Sequence, residues 1–319
     1  MSTEGGDTVY GLVAAGELLV DLIGQEPAGS LGQARTFERF QGGSPSNLAA
    51  NMARLGQRVA VVSCVGDDSL GTYLKEQVAA TGADTRYIAV DSVAPTSLVV
   101  VSRSEGTPDF VAYRGADVQL QPHHLPQELL RRCAVLHTTC FALSREPARS
   151  SLLDAARETV AAGGQVSLDV NYAPRIWPDR REALEVVAAW CSHRALVKAS
   201  GDDVERLFGT GALTREQALD AFHDMGASLV CLTLGKEGSL ISTRRGETPL
   251  RIPGRPIQVV DATGAGDAYW AGFLTAWLRG HPPALCGKAG ANLAALKLGW
   301  LGPLPASLPE TVLFEEPRG

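Results

Sequence analysis

From Ala134 onward, short apolar runs of strand length alternate with segments of helical period, and this alternation limits the architecture more than any other feature. Residues 134–138, 165–170, 195–198 and 228–233 read as strands; residues 150–162, 181–191, 202–208 and 215–225 read as helices, the last opened by a Thr214/Gln217 capping box. Strands separated by helices cannot pair through tight turns. They build a mostly parallel sheet covered on both faces, a doubly wound α/β fold whose ligands gather beyond the C-terminal strand ends. Those ends carry Asp169-Val170-Asn171, Lys198-Ala199-Ser200-Gly201-Asp202-Asp203 and Thr233-Leu234-Gly235-Lys236-Glu237-Gly238.

The first third of the chain is less regular. The apolar run 9–15 ends in Gly16-Glu17, and a second run, 18–23, holds one carboxylate, Asp21, among Leu19, Val20, Leu22 and Ile23. An enclosed Asp needs hydroxyls or amides to bind. Residues 59–65 predict a core strand and 69–80 a helix, after which 96–102 and 110–113 read as a hairpin across turn residues 103–109, closing on Tyr113-Arg114. An Arg that ends a strand can present its fork to an anionic or polyhydroxyl ligand. The β-like pieces around 17–41 and 96–114 do not fit the alternation and are expected to pair as a small sheet, a lid over the strand ends. With no linker, low-complexity tract or repeat, residues 1–319 read as one domain.

Two glycine motifs carry the chemistry. Asp261-Ala262-Thr263-Gly264-Ala265-Gly266-Asp267 follows the apolar run 257–260 and precedes an apolar helix, and reads as strand, turn and helix. Its glycines let consecutive amides face one volume beside a helix N-terminus, which favours an anion. Asp267 then stands where a carboxylate can take a proton from a hydroxyl that attacks phosphate. Upstream, Gly42-Gly43-Ser44-Pro45-Ser46-Asn47 opens a helix with Ser44 as N-cap, Pro45 at its first position and Gly56 past its end. Capping accounts for Ser44, Pro45 and Gly56. It leaves the two glycines and Asn47 for a ligand at the helix end.

Charge narrows the partners. With 29 Lys and Arg against 35 Asp and Glu, the net charge is −6, and no basic stripe exists to neutralise a phosphodiester backbone, so nucleic acid is not expected. The six cysteines are scattered without a Cys-x-x-Cys pair and read as reduced core thiols. The polar, acidic N-terminus and the lack of an apolar run of about 18 residues point to a cytoplasmic protein without membrane contact. Neither Gly-x-x-x-x-Gly-Lys-Ser/Thr nor an early Gly-x-Gly-x-x-Gly occurs, against a P-loop NTPase and a dinucleotide-binding dehydrogenase.

Over nearly its full length the chain resembles the ribokinase-like, or PfkB-type, carbohydrate kinases, on Gly42-Gly43, Asn47, Ala49, Gly56 and Gly66 together with residues 261–267 and Ala271-Gly272. The resemblance implies an ATP-dependent sugar kinase that uses Mg2+, with a monovalent cation such as K+ as a further candidate, and a homodimer paired through the lid. It makes Asp267 the general base and Gly264, Ala265 and Gly266 the cradle of the transferred phosphoryl group. To the sugar it assigns Asp21, Gly42, Gly43, Asn47, Arg114 and Asn171. To the nucleotide side it assigns Lys198, Ser200, Thr233, Gly235, Gly238 and Asn292, with Asp203 holding metal through water. Residues 169–177 are similar to a segment of fructokinases and 2-keto-3-deoxygluconate kinases, but Ala173 stands where an Arg is common in the family. Fructose is therefore placed ahead of the sugar acid; a nucleoside kinase and a catalytically silent sugar sensor are the remaining alternatives.

Overall fold

The computed structural model describes residues 10–103 and 109–315. The strands are β1 (Tyr10–Ala15), β2 (Leu19–Pro27), β3 (Phe37–Gly42), β4 (Val59–Gly66), β5 (Ile88–Asp91), β6 (Leu98–Arg103), β7 (Phe110–Tyr113), β8 (Cys133–Thr139), β9 (Gln165–Asp169), β10 (Leu196–Ser200), β11 (Leu229–Thr233), β12 (Gly238–Ser242) and β13 (Leu250–Pro253). The helices are α1 (Ser44–Arg54), α2 (Ser69–Ala79), α3 (Gln127–Leu130), α4 (Ala148–Ala161), α5 (Arg180–Cys191), α6 (Gly201–Phe208), α7 (Arg215–Asp224), α8 (Ala265–Leu278) and α9 (Pro283–Leu298). The expected hairpin turn at 104–108 lies outside the described residues.

Nine strands form one sheet in the order β13-β12-β11-β10-β9-β8-β1-β4-β5, parallel from β11 to β5, with β12 and β13 antiparallel at one edge. Alternate residues of β1 face opposite layers: Val13 and Ala15 pack toward α4, α5 and α7, whereas Leu12 and Ala14 pack toward α1, α2 and α8. From β1 the chain proceeds to β4 and β5 on one side, and from β8 to β9, β10 and β11 on the other. The order thus reverses between β1 and β8, and a crevice is expected at their C-terminal ends. Above it, β3-β2-β6-β7 form the separate small sheet, with β2 and β6 parallel and both outer pairs antiparallel.

Two expectations are corrected. Residues 257–260 form no strand: Val259 and Val260 are 57% and 53% exposed, and the Val260 and Asp261 amides donate to the Leu298 carbonyl at the end of α9. The run follows Pro256 and lies beyond β13, where the sheet already ends, so its apolar pattern finds no partner. Helix α1 starts one residue earlier than its capping pattern suggests, with Gly43 at the cap, φ 99°, and Ser44 inside the first turn. That single-residue shift frees the Ser44 hydroxyl from capping. Behind α8, Gly272 has a packing role, since a Cβ there would lie 2.6 Å from the Ala289 carbonyl oxygen of α9.

Candidate active site

The N-termini of α1 and α8 converge on one buried carboxylate. Gly264 caps α8 in the left-handed region, φ 71°, which puts Asp267 in the first turn. Ser44 Oγ donates to Asp267 Oδ1 at 2.7 Å, and Asn47 Nδ2 donates to Oδ2 at 3.0 Å. Burial pushes the Asp267 carboxyl above its usual range, while the Lys198 charge and the Ser44 and Asn47 hydrogen bonds pull it back. A carboxylate raised in this way is a better proton acceptor than an exposed one. Removing a donor that stabilises the charged form raises the pKa further. Ser44→Ala is thus expected to move the acid limb of kcat/KM to higher pH, with a loss that is largest on the acid side and shrinks as pH rises. An unmoved limb in a pH–rate profile would show that the Ser44 contact has no bearing on the base.

The crevice between β1 and β8 supports this arrangement. Glu17, just past β1, accepts from the Ser44 amide at 3.3 Å and from Thr139 Oγ1, at the end of β8, at 2.7 Å. Burial pushes its carboxyl up to about 8. Gly43 must be glycine, because a Cβ would lie 2.3 Å from the Glu17 carbonyl oxygen, quite apart from its positive φ. At Gly42 a Cβ would fall 2.2 Å from Asp21 Oδ2, so a side chain there would displace the Asp21 carboxylate. Asp21, pushed up to about 7 by burial and by the nearby Asp267 charge, accepts no hydrogen bond among the described residues. Asn47 is engaged at both ends, since its Oδ1 accepts from Gln41 Nε2 at 2.9 Å, so the structure ties it to Asp267 and to β3.

The glycine loop and the first turn of α8 carry three open amides. Ala265 donates to the Ala262 carbonyl at 3.3 Å, whereas the Gly264 and Gly266 amides have no hydrogen bond among the described residues. The expected three-amide cradle is therefore reduced to Gly264 and Gly266, joined by the equally open amide of Asp267. Beneath it lies Lys198, whose Nζ would be 3.0 Å from a Cβ at Gly266 and which donates to both Asp169 oxygens at 3.0 and 2.9 Å. Burial alone would lower the Lys198 pKa, but the carboxylates of Asp169, Asp203 and Asp267 outweigh it and keep the ammonium charged. Lys198 is thus a buried cation under the loop, paired with Asp169.

Other expected ligands take structural positions. Ser200 and Asp203 form the capping box of α6, and the remaining Asp203 oxygen accepts from the Tyr172 amide, so both Asp203 oxygens are engaged within the protein. Arg114, its side chain 4% exposed, pairs with Asp117 at 2.5 Å and donates to Ser144 Oγ and the Phe141 carbonyl. Asn292 on α9 donates to the Leu313 and Glu315 carbonyls and pins the C-terminal segment. Gly238 is crowded by β13, a Cβ there lying 2.0 Å from the Ile252 carbonyl oxygen; Gly235, φ 56°, is open, and Thr233 Oγ1 donates to the Ala199 carbonyl. Asn171 ends the β9 side of the crevice, exposed and with φ 30°. No group of three or more His, Cys, Asp or Glu side chains that could hold a metal occurs among the described residues. The donors that fit a triphosphate are the open amides of the loop.

A profile of the pfkB family carbohydrate kinases matches residues 11–310. The chain belongs to this family. It is similar to an ATP-dependent 6-phosphofructokinase of Thermoanaerobacterium thermosaccharolyticum, 33% identical over 93% of this chain and 90% of that one. The fructokinase structure from Halothermothrix orenii superposes with a TM-score of 0.76 at 35% identity, covering 90% of this chain and 97% of that one. A sugar kinase from Pyrococcus horikoshii, solved in complex with ATP, gives a TM-score of 0.82 at 27% identity, covering 94% and 95%. This PfkB protein is an ATP-dependent carbohydrate kinase. Among its described residues no helix is long and apolar enough to cross a membrane, and all six cysteines are buried and free.

Sequence reasoning missed three participants in this PfkB site. Capping alone accounts for Ser44 in the sequence, although a Ser directly after paired glycines is also placed to reach across a crevice. Glu17 left a signal, a carboxylate wedged between two apolar runs, which marks a buried acid. The Asp169–Lys198 pair left none, because its partners belong to different strands and pair only through the β9–β10 register.

Proposed function

We propose that this kinase phosphorylates a primary hydroxyl of a fructose-type ketohexose, with Asp267 as the general base. The observation that carries the reading is the Asp267 carboxylate held by Ser44 and Asn47 at two helix N-termini, opposite the uncommitted carboxylate of Asp21. Asp21 and Asn171 supply hydrogen-bond acceptors and donors for the hydroxyls of the sugar, and Gly42 leaves the space that brings Asp21 to them. Asp267 takes the proton of the attacking hydroxyl. ATP with magnesium supplies the electrophilic γ-phosphoryl group. The open amides of Gly264 and Gly266, with the charged Lys198 below, favour negative charge at that point, so positioning and electrostatics supply most of the rate. The small sheet acts as a lid, since β2 carries Asp21 into the site.

The outer face of that sheet exposes Val111 and Tyr113, 39% and 60% exposed, and pairs with a second copy; the protein works in the cytoplasm. The reading is tested by ADP release with ATP and magnesium across fructose, other hexoses, ribose and nucleosides. Turnover on a ketohexose is the expected result. Turnover confined to nucleosides, or silence on every sugar, would sink it.

A further inference from the structure

A second lysine lies against the glycine loop. Lys297, in the last turn of α9 and 7% exposed, passes close to Gly264: a Cβ on that glycine would stand 3.9 Å from Lys297 Cε and 3.8 Å from Asp267 Oδ2. Lys297 Nζ donates to Asp261 Oδ2 at 3.0 Å and to the Trp300 carbonyl at 3.4 Å. Asp261 Oδ1 accepts from the Thr263 amide at 2.9 Å, and Oδ2 also accepts from the Gly302 amide at 3.4 Å. Partial burial alone would raise the Asp261 pKa, but the Thr263 amide and the Lys297 ammonium outweigh it and hold the carboxyl below its usual range. Residues 254–264 belong to no strand or helix. The Asp261–Lys297 contact, with the two amides that meet the Leu298 carbonyl, fixes where this segment turns into α8.

The point that Lys297 Nζ occupies has the chemistry of a cation site. A carboxylate oxygen and a main-chain carbonyl oxygen converge there, the donors that replace the hydration shell of a hard cation. A lysine in the last turn of a helix already meets a favourable dipole while it stays in water. Burying it needs a partner that offsets the lost hydration, and here that partner is the carboxylate that opens the glycine loop. The resemblance to ribokinase-like kinases makes K+ a candidate as well. Such an ion would have to displace the ammonium from these oxygens or sit beside it. Displacement breaks a buried ion pair, and a second positive charge at close range is repelled.

We propose that Lys297 is the built-in cation of the glycine loop, and that this kinase therefore needs no monovalent cation. The ammonium holds Asp261, and through it sets the open amides of Gly264 and Gly266 where the transferred phosphoryl group is bound. Lys297 is a positioning residue, since it acts through Asp261 and the loop. With Lys198 near Gly266 and Lys297 near Gly264, the loop rests on two fixed positive charges that favour an anion at its amides. The inference concerns the nucleotide side and is independent of which sugar accepts the phosphoryl group.

Calorimetric titration of the full chain with a non-hydrolysable ATP analogue and magnesium tests the proposal, in potassium, ammonium and choline chlorides at equal ionic strength. Melting temperatures are followed in the same salts. The parent is expected to bind the analogue with affinities within about twofold in all three salts and to melt at one temperature. Lys297→Ala removes the ammonium and leaves its oxygens with space; in choline chloride it should bind the analogue at least roughly 10-fold more weakly. Potassium or ammonium should restore at least about threefold of that loss and raise the melting temperature of this variant, as a ligand of the folded state does. Lys297→Met fills the same space without charge, so it should lose affinity and gain nothing from either ion. Because the Asp261 side chain is 21% exposed, water can reach it in both variants, and both should fold. A parent that binds the analogue about tenfold more tightly in potassium than in choline overturns the proposal without recourse to any variant. Full affinity of Lys297→Ala in choline chloride overturns it too, as does a loss that neither ion restores, which leaves Lys297 a structural tether. An equal response of the Ala and Met variants marks a general salt effect and also defeats it. Analogue binding needs no acceptor, so silence on every sugar would sink the ketohexose reading and leave this inference standing.

Discussion

Asp267→Asn is expected to lower kcat for sugar phosphorylation by roughly two to four orders of magnitude, the usual contribution of a positioned general base. The substitution keeps the shape of the side chain, with a carbonyl oxygen to accept from Asn47 Nδ2 and an amide to donate to Ser44 Oγ. It removes only the capacity to take a proton. ATP binding, measured by titration, should change little, because the open amides of Gly264 and Gly266 are untouched. Stability should hold or rise at neutral and alkaline pH. Burial raises the folded-state pKa of Asp267 above its unfolded value, so the folded state keeps a proton that the unfolded chain has released. Stability is therefore lost as pH rises through that interval, and the Asn variant escapes this loss. A kcat within about tenfold of the parent would assign the proton to another group.

Lys198→Met is expected to be the most destabilising single change in the site, costing about 3–5 kcal/mol. Lys198 is 6% exposed and meets both oxygens of Asp169, which is itself 2% exposed. Its loss strands a buried carboxylate close to Asp203 and Asp267. The double variant Lys198→Met, Asp169→Leu should recover much of the loss, because it removes both charges and leaves apolar volume between β9 and β10. Urea denaturation midpoints for the parent, both single variants and the double variant measure the coupling. Where activity survives, the acid limb of kcat/KM should also move upward, since Lys198 holds the Asp267 pKa down. A single-variant cost below about 1 kcal/mol would mean that the pair is solvated and does little for the fold.

Much of the architecture was readable because it follows from local pattern. The runs at 134–138, 165–170, 195–198 and 228–233 recur as β8, β9, β10 and β11 within two residues at their bounds, and the helices between them recur as α4 to α7. Period and punctuation are properties of adjacent residues. The edge of the sheet was not readable. Residues 257–260 have the pattern of a strand but no partner, while β12 pairs with β11 across the turn at Gly235–Glu237 and β13 pairs in turn with β12. Strand formation needs a neighbour that the local sequence does not name.

The candidate site divides the same way. The sequence by itself determined the doubly wound sheet, the two glycine turns and the presence of a carboxylate at the start of α8, since each needs only neighbours along the chain. Only the tertiary structure decided which donors meet that carboxylate. Ser44 and Asn47 stand 223 and 220 residues from Asp267, and Glu17 meets Thr139 across 122 residues. It also turned Ser200 and Asp203 from candidate ligands into a helix cap, Arg114 into a buried pair with Asp117, and Lys198 into the cation beneath the loop. The physical reason is common to all of these. A polar side chain removed from water takes the strongest partner that packing puts within about 3 Å, and that partner is chosen by strand order and helix docking, not by spacing along the chain.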